Sequence, residues 1–266
     1  MVDVAGYRFD MLNFLRKRRE IAPELPAFSV GEARRVYAIG DVHGRADLMV
    51  DLIGAIMADN AARAPLPYQI IMLGDLIDRG GQSAQVIDCA MAMARSGAAI
   101  RFLKGNHEEV FLQAACGDKK AVRFFRRIGG RETMLSYGLA EIDYASMDVD
   151  ELTDWMLQNV PRAHVDFVDG FEDMIEIDDY LFVHAGIRPA VPLEEQNPKD
   201  LHWIREEFLT CRQPLPGRMV IHGHTITENV DERTNRIGID TGAYLSNKLT
   251  AIGLEGTDRW FLSTQV

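Results

Sequence analysis

The sequence predicts an α/β fold: two β-sheets stacked as a central sandwich, flanked by helices in an α/β/β/α order, with a helical insertion. Three observations predict it. The first hundred or so residues alternate between strand and helix periodicity in units of about 30 residues, the rhythm of linked βαβ units. Residues 108–160 then read as helical throughout. After Pro161 the chain turns β-rich, and this half is expected to be mostly antiparallel. Together the halves make one domain, residues 1–266, with 108–160 as an insertion or cap.

Each element has its own signal. Val36–Ile39 is a short apolar strand, and Asp47–Asn60 carries Leu48, Leu52, Ile53, Ile56 and Met57 at helical spacing. Gln69–Leu73 is a second strand. Ser83–Arg95 places Val86, Ile87, Ala90, Met91 and Ala94 on one helical face, and Ala99–Lys104 is a third strand. The insertion contains EEVFLQAAC, KKAVRFFRRI, RETMLSY and DELTDWMLQN. Later strands are expected at His164–Val168, Met174–Ile177, Tyr180–His184, Arg218–Ile221, Ile237–Asp240, Lys248–Leu254 and Arg259–Ser263. ERTN is a hairpin loop between Val230 and Ile237.

Composition narrows the function. A chain of 266 residues that is 47% hydrophobic builds a sizeable core. A net charge of −11 argues against an extended nucleic-acid surface. Cys89, Cys116 and Cys211 are odd in number and lack a CxxC spacing, so they read as reduced thiols of a cytoplasmic protein. No apolar run approaches the ~20 residues of a membrane span. The first twenty residues, ending in LRKRRE, lack the order of a signal peptide and read as a solvated leader helix.

What ends the strands carries the chemistry. The first ends in GDVHG (Asp41, His43), the second in GDLIDRG (Asp75, Asp78, Arg79) and the third in GNHE (Asn106, His107). YLFV and RMVI end in HAG and HGHT, which supply His184, His222 and His224. Taken alone, GDVHG is ordinary turn chemistry. Five apolar runs ending in oxygen and nitrogen donors are another matter, because the carboxyl ends of strands line the ligand crevice of α/β sheets. Asp41, His43, Asp75, Asn106, His184 and His224 make six donors. One ion rarely needs so many, but two ions sharing a carboxylate do. Mixed O and N donors suit Mn, Fe or Zn better than Ca or Mg.

The order GD-x-HG, GD-x-x-DRG, GNHE, HAG, GH resembles the calcineurin-like metallophosphoesterases, and within them the phosphoprotein-phosphatase branch in its compact bacterial form. These motifs run from Gly40 to Thr225, and GGRETMLSYG, HWIREEFL and IDTGAYLSNKLTAIGLE extend the resemblance nearly to the chain's end. The resemblance implies that Asp41 and His43 ligate a first metal, that Asp75 bridges, and that Asn106, His184 and His224 ligate a second. It implies that His107 is the general acid, oriented by Asp78, and that Arg79 binds phosphate. Arg205 in HWIREEF is the candidate second phosphate arginine. Two divalent ions are implied, Mn²⁺ ahead of Fe or Zn. The implied reaction is removal of phosphate from phosphoserine, phosphothreonine or similar monoesters by direct attack of a metal-bound hydroxide. The substrate would be a phosphorylated protein or a small phosphoester, with no nucleic-acid or membrane partner.

The alternative is a dinucleoside polyphosphate hydrolase acting on diadenosine tetraphosphate. That branch typically reads Ala-Arg-Gly in the second motif and GNHD in the third, so Asp78 and Glu108 favour the monoesterase. The sequence also departs from its relatives at Ile128, before the two glycines, and at IDTGAYLSNK, which replaces the SAPNYC-type segment. A binding module that kept the fold without catalysis should have lost a ligand or the acid, and none is missing. His222 reads as structural or as support for a ligand. His164 and His202 read as structural, and Glu108 and Glu109 as stabilisers of a helix N-terminus. A basic patch at Lys119, Lys120, Arg123, Arg126, Arg127 and Arg131 reads as a solvated face or a recruiter of acidic substrate.

Overall fold

The computed structural model describes residues 27–212 and 215–264, so the expected leader helix lies outside the described residues. The chain opens with β1 (Arg35–Ile39), α1 (Ala46–Ala62), β2 (Tyr68–Met72), α2 (Ser83–Arg95) and β3 (Ile100–Phe102). A helical segment follows: α3 (Asn106–Ala115), α4 (Lys119–Ile128), α5 (Gly130–Ser136), α6 (Glu141–Ser146), α7 (Val149–Asn159) and α8 (Arg162–Asp169). Then come β4 (Met174–Ile177), β5 (Tyr180–Val183), α9 (Pro198–Trp203), α10 (Glu206–Leu209), β6 (Met219–His222), β7 (Asp231–Glu232) and β8 (Arg236–Gly238). The chain closes with α11 (Ala243–Ser246), β9 (Thr250–Glu255) and β10 (Asp258–Ser263).

The strands form two five-stranded sheets, ordered β10-β9-β1-β2-β3 and β4-β5-β6-β8-β7. Alternation along the strands builds three layers of core. Val36 and Ala38 face the second sheet and pack with Ile71, Phe182, Ile221, Ile237 and Ile252. Tyr37 and Ile39 point the other way, onto α1, α2 and α3 through Leu52, Val86 and Phe111. On the far face of the second sheet, Leu181, Val183 and Val220 meet Leu201, Ile204 and Phe208 of the α9–α10 region. Strands covered on both faces read as continuous apolar runs, as RVYAI and YLFV do. Burying each large side chain contributes roughly 1.5–3 kcal/mol. This is the predicted α/β/β/α order.

One expectation is corrected. His164–Val168 is not a strand but lies within α8, where His164, Val165 and Val168 are buried on one face at helical spacing and Pro161 caps the start. A five-residue apolar run does not by itself distinguish the two. Most pairings of the second half are antiparallel, as expected: β4–β5, β7–β8, β9–β10 and β9–β1. Within it β5, β6 and β8 nevertheless run parallel to one another, as β1, β2 and β3 do, and the antiparallel strands flank these two trios. The β5–β6 crossover passes through α9 and α10, helices of six and four residues, too short to show a helical period. The ERTN hairpin is present, joining β7 to β8.

The basic patch divides. Lys119 pairs with Asp150, Arg131 with Glu132 and Glu141, and Arg126 lies over the Tyr144 ring. Cys89, Cys116 and Cys211 are free thiols. Among the described residues no helix is long and apolar enough to cross a membrane.

His164 and His202 act as struts, as expected. His164 joins Tyr137 to Asp88. His202 is almost fully buried and bonds Glu109 on α3 and Asp173 before β4, both at 3.0 Å. Burial works against the charged ring, but the two carboxylates outweigh it and push the His202 pKa from 6.5 up to about 8. A raised histidine pKa stabilises the fold fully below about pH 6.5, and that stability is lost as pH rises through about 8. Denaturant titrations should show wild-type stability falling by roughly 1–2 kcal/mol across this window, with His202→Gln flat. A variant that keeps the wild-type slope would remove His202 as its source.

Candidate metal centre

All six parallel strands end at one place. The residues after them are Asp41 (β1), Asp75 (β2), Asn106 (β3), His184 (β5), His224 (β6) and Asp240 (β8). Asp75 sits at the middle. Its Oδ2 lies 3.4 Å from His184 Nε2, 3.6 Å from His43 Nε2 and 3.9 Å from His107 Nε2. Its Oδ1 accepts the His107 backbone N–H at 3.0 Å. Burial opposes ionisation, yet the surrounding imidazoles hold the Asp75 carboxyl well below the usual range.

Backbone geometry makes this convergence possible. His43, Asp75, Asp78, Arg79 and His224 all have left-handed φ, between +46° and +71°. Each such residue costs roughly 1–3 kcal/mol and persists only where surrounding bonds over-determine it. Here Val42, His43 and Gly44 donate to the Asp75 and Leu76 carbonyls, and Arg79 N–H donates to Gly129 O at 3.0 Å. The glycines leave room where ligands approach. A Cβ on Gly223 would lie 2.0 Å from Asp41 Oδ1, and one on Gly105 would lie 2.2 Å from Asp75 Oδ1.

The donor set fits cations. His43 donates Nδ1–H to Ile77 O at 2.8 Å, which assigns its lone pair to Nε2. That Nε2 and His224 Nε2 are buried without a hydrogen-bond partner among the described residues. His184 donates Nδ1–H to Leu73 O at 2.9 Å and turns its Nε2 toward Asn106 Oδ1 at 3.1 Å and Asp75 Oδ2. Acceptors that converge in this way repel unless a cation lies between them. Burial keeps the rings neutral, as ligation requires: His43 stays well below its ordinary range and His224 falls to about 2. Burial, with Asp240 and Asp75 nearby, pushes the Asp41 carboxyl well above its usual range, although its oxygens accept the His224 N–H at 3.0 and 3.2 Å. A bound cation offsets that penalty.

The remaining predicted residues surround this core. His107 Nδ1 bonds Asp78 Oδ2 at 2.6 Å, and Arg79 Nη2 lies 3.0 Å from His107 Nε2. His107 belongs by distance to the cluster of His43 and Asp75, but a guanidinium on its free nitrogen argues against a second cation there. Burial lowers its pKa, and Asp75 and Asp78 more than reverse this. Arg205 is exposed at the rim, its Nη1 3.4 Å from Thr225 Oγ1 and therefore beside His224. His222 turns away: Nδ1–H donates to Gly223 O, Nε2 faces Arg236, and the ring edge meets Phe208. It is structural, with burial pushing its pKa down to about 4.

Sequence reasoning missed several site residues. Thr133 in GGRET donates to Asp78 Oδ1 at 2.5 Å and accepts the Asp78 N–H at 3.0 Å. Glu108 does more than cap α3: besides Gly105 N–H it accepts those of Asp75 and Leu76, at 2.7–2.9 Å, locking the second loop to the third. Glu109 reaches instead to His202 and Trp203. Asp240 is buried, with Oδ2 unpaired among the described residues. The run IGID carried the strand-end signal for it, but a single carboxylate had no second donor beside it. Tyr244 left no signal beyond its place in IDTGAYLSNK.

A carboxylate centred among histidines at the ends of two parallel strand trios defines a class of phosphoester-cleaving metal sites. The family model of calcineurin-like phosphoesterases matches residues 34–240, and the chain belongs to that family as a metal-dependent phosphoester hydrolase. It is 25% identical over 236 residues to an asymmetrical bis(5′-nucleosyl)-tetraphosphatase of Anoxybacillus flavithermus, spanning 80% of this chain and 88% of that one. It is 32% identical over 155 residues to a symmetrical bis(5′-nucleosyl)-tetraphosphatase of Paracidovorax citrulli, spanning 58% of this chain but only 45% of that relative. The fold also matches a solved structure described as a putative diadenosine tetraphosphatase, with a TM-score of 0.61 and 18% identity over 88% of this chain and 95% of that one.

Gly223→Ala should displace Asp41 and lower metal affinity roughly 10- to 100-fold, read by metal analysis after dialysis against graded chelator. Unchanged metal retention would show that the Asp41–Gly223 contact is irrelevant to the centre.

Proposed function

We propose that this protein cleaves the polyphosphate bridge of a dinucleoside tetraphosphate at a dinuclear metal centre. The observation that carries the chemistry is Asp75 Oδ2, placed among His43, His107 and His184 at 3.4–3.9 Å. The substrate class rests on the tetraphosphatase relative that aligns along most of both chains. In this reading Asp41, His43 and Asp75 would hold one ion, and Asp75, Asn106, His184 and His224 would hold the other. Mn²⁺ suits the mixed donors, with Fe or Zn as alternatives. Bound ions supply a water deprotonated near neutral pH and neutralise charge on the phosphoryl oxygens. Arg79 and Arg205 bind those oxygens through their guanidinium forks. His107 Nε2 would protonate the leaving oxygen once its contact with Arg79 gives way to substrate, while Asp78 keeps the ring oriented through Nδ1–H and Thr133 keeps Asp78 in place. The whole chain acts as one catalytic domain, with residues 108–160 as its cap. Three free thiols and an acidic balance suit the cytoplasm.

A second reading, hydrolysis of phosphoserine or phosphothreonine esters, is favoured by the buried Asp78–His107 pair, since an alkoxide needs a proton more than a phosphate leaving group does. Glu108 gives this reading less support than its motif suggests, because its carboxylate is spent on backbone amides. The deciding measurement is kcat/KM of Mn²⁺-reloaded protein on diadenosine tetraphosphate and on a phosphothreonine peptide. Preference for the dinucleotide is expected; preference for the peptide would overturn the first reading in favour of the second.

His107→Asn should retain its metals yet lose roughly 10²–10⁴-fold in kcat, with a smaller loss on p-nitrophenyl phosphate. Metal loss from this variant would make His107 a ligand.

A further inference from the structure

Tyr244, in the first turn of α11, has no part in the chemistry described above. Its ring meets the His43 ring edge-on, with centroids 5.3 Å apart at 80°. The Arg79 guanidinium carbon lies 4.9 Å from the same ring's centre, and Arg79 Nη1 donates to the Tyr244 hydroxyl at 3.4 Å. Arg79 therefore has three anchors. Its backbone is held left-handed by the bond to Gly129, Nη2 reaches His107, and the opposite side of the guanidinium rests on Tyr244. An arginine side chain has about four freely rotating bonds, and a fork that must meet phosphoryl oxygens in one plane gains from having them restricted beforehand. An aromatic ring restricts the plane through its π-face while leaving the outward N–H groups available.

We propose that Tyr244 is a positioning residue for phosphate binding: it orients the Arg79 guanidinium and, through its edge contact with His43, ties that orientation to the metal centre. The inference rests on the reading of Arg79 as a phosphate-binding group. Tyr244 touches neither the reacting atoms nor the acid; it acts through Arg79. The ring supplies most of the effect, because the hydroxyl contact is long at 3.4 Å.

The test is calorimetric titration of Mn²⁺-loaded protein with inorganic phosphate, comparing wild type, Tyr244→Phe, Tyr244→Leu, Arg79→Ala and the double variant Arg79→Ala/Tyr244→Leu. Metal content and Tm are measured alongside. Tyr244→Leu should weaken phosphate about 3- to 30-fold with metal content intact, while Tyr244→Phe, which keeps the ring, stays within about threefold of wild type. In the Arg79→Ala background the leucine change should add less than about twofold, since there is no guanidinium left to orient. If Arg79→Ala weakens phosphate but Tyr244→Leu does not, or if the two losses simply multiply, the positioning role is overturned and Arg79 keeps its own. If Arg79→Ala leaves phosphate affinity unchanged, Arg79 is not a phosphate group, and the role of Tyr244 falls with it.

Discussion

The site depends on one carboxylate oxygen being held, deeply buried, among three imidazoles. Asp75 Oδ2 has His184, His43 and His107 within 3.9 Å, and its other oxygen accepts the His107 backbone N–H in the first turn of α3. Such an arrangement is expensive without compensation, because it gathers acceptors and an ionised group away from water. Much of the surrounding structure supplies that compensation. Imidazole N–H groups are committed to the Ile77 and Leu73 carbonyls, so the free lone pairs point inward. The left-handed backbone at five site residues concentrates further strain there, and loop-to-loop hydrogen bonds carry it.

The sandwich explains why the donors can meet. Each sheet has three parallel strands at its centre, and parallel strands deliver their carboxyl ends to the same edge. Stacking the sheets face to face through Val36, Ile71, Phe182 and Ile221 brings the two edges together. The loops then approach so closely that a β-carbon at Gly105 or Gly223 would overlap a ligand carboxylate. Glycine at these points follows from the spacing between loops as much as from turn conformation.

Behind the donors stands a layer that fixes orientation. Glu108 binds three backbone amides across two loops, Thr133 reaches Asp78 from the helical segment, and Asp78 in turn holds His107. Residues 106–169 thus contribute to the site: Thr133 of α5 holds the carboxylate that bonds His107, and Gly129 anchors Arg79. His202 performs a comparable task at the rim, binding α3 to the sheet edge through two carboxylates.

By itself the sequence determined the alternation of strands and helices, the two-layer β core and the donors at five strand ends. Those features are local: a strand buried on both faces reads as an unbroken apolar run, and a ligand placed just after it needs glycine beside it. Residues acting at a distance could not be read this way. Thr133 and Tyr244 reach Asp78 and Arg79 across 55 and 165 positions, and no periodicity encodes those contacts. The tertiary structure alone decided that β5, β6 and β8 run parallel: the helices between β5 and β6 are too short to show a pattern, and the connection from β6 to β8 holds only the two-residue β7. It also decided that His164–Val168 is helical, since only packing against neighbours distinguishes a short apolar run on a helix from one on a strand. It turned His222 away from the donor cluster and left Asp240 buried beside Asp41, for the same reason: which way a side chain at a strand's end points depends on the sheet it joins.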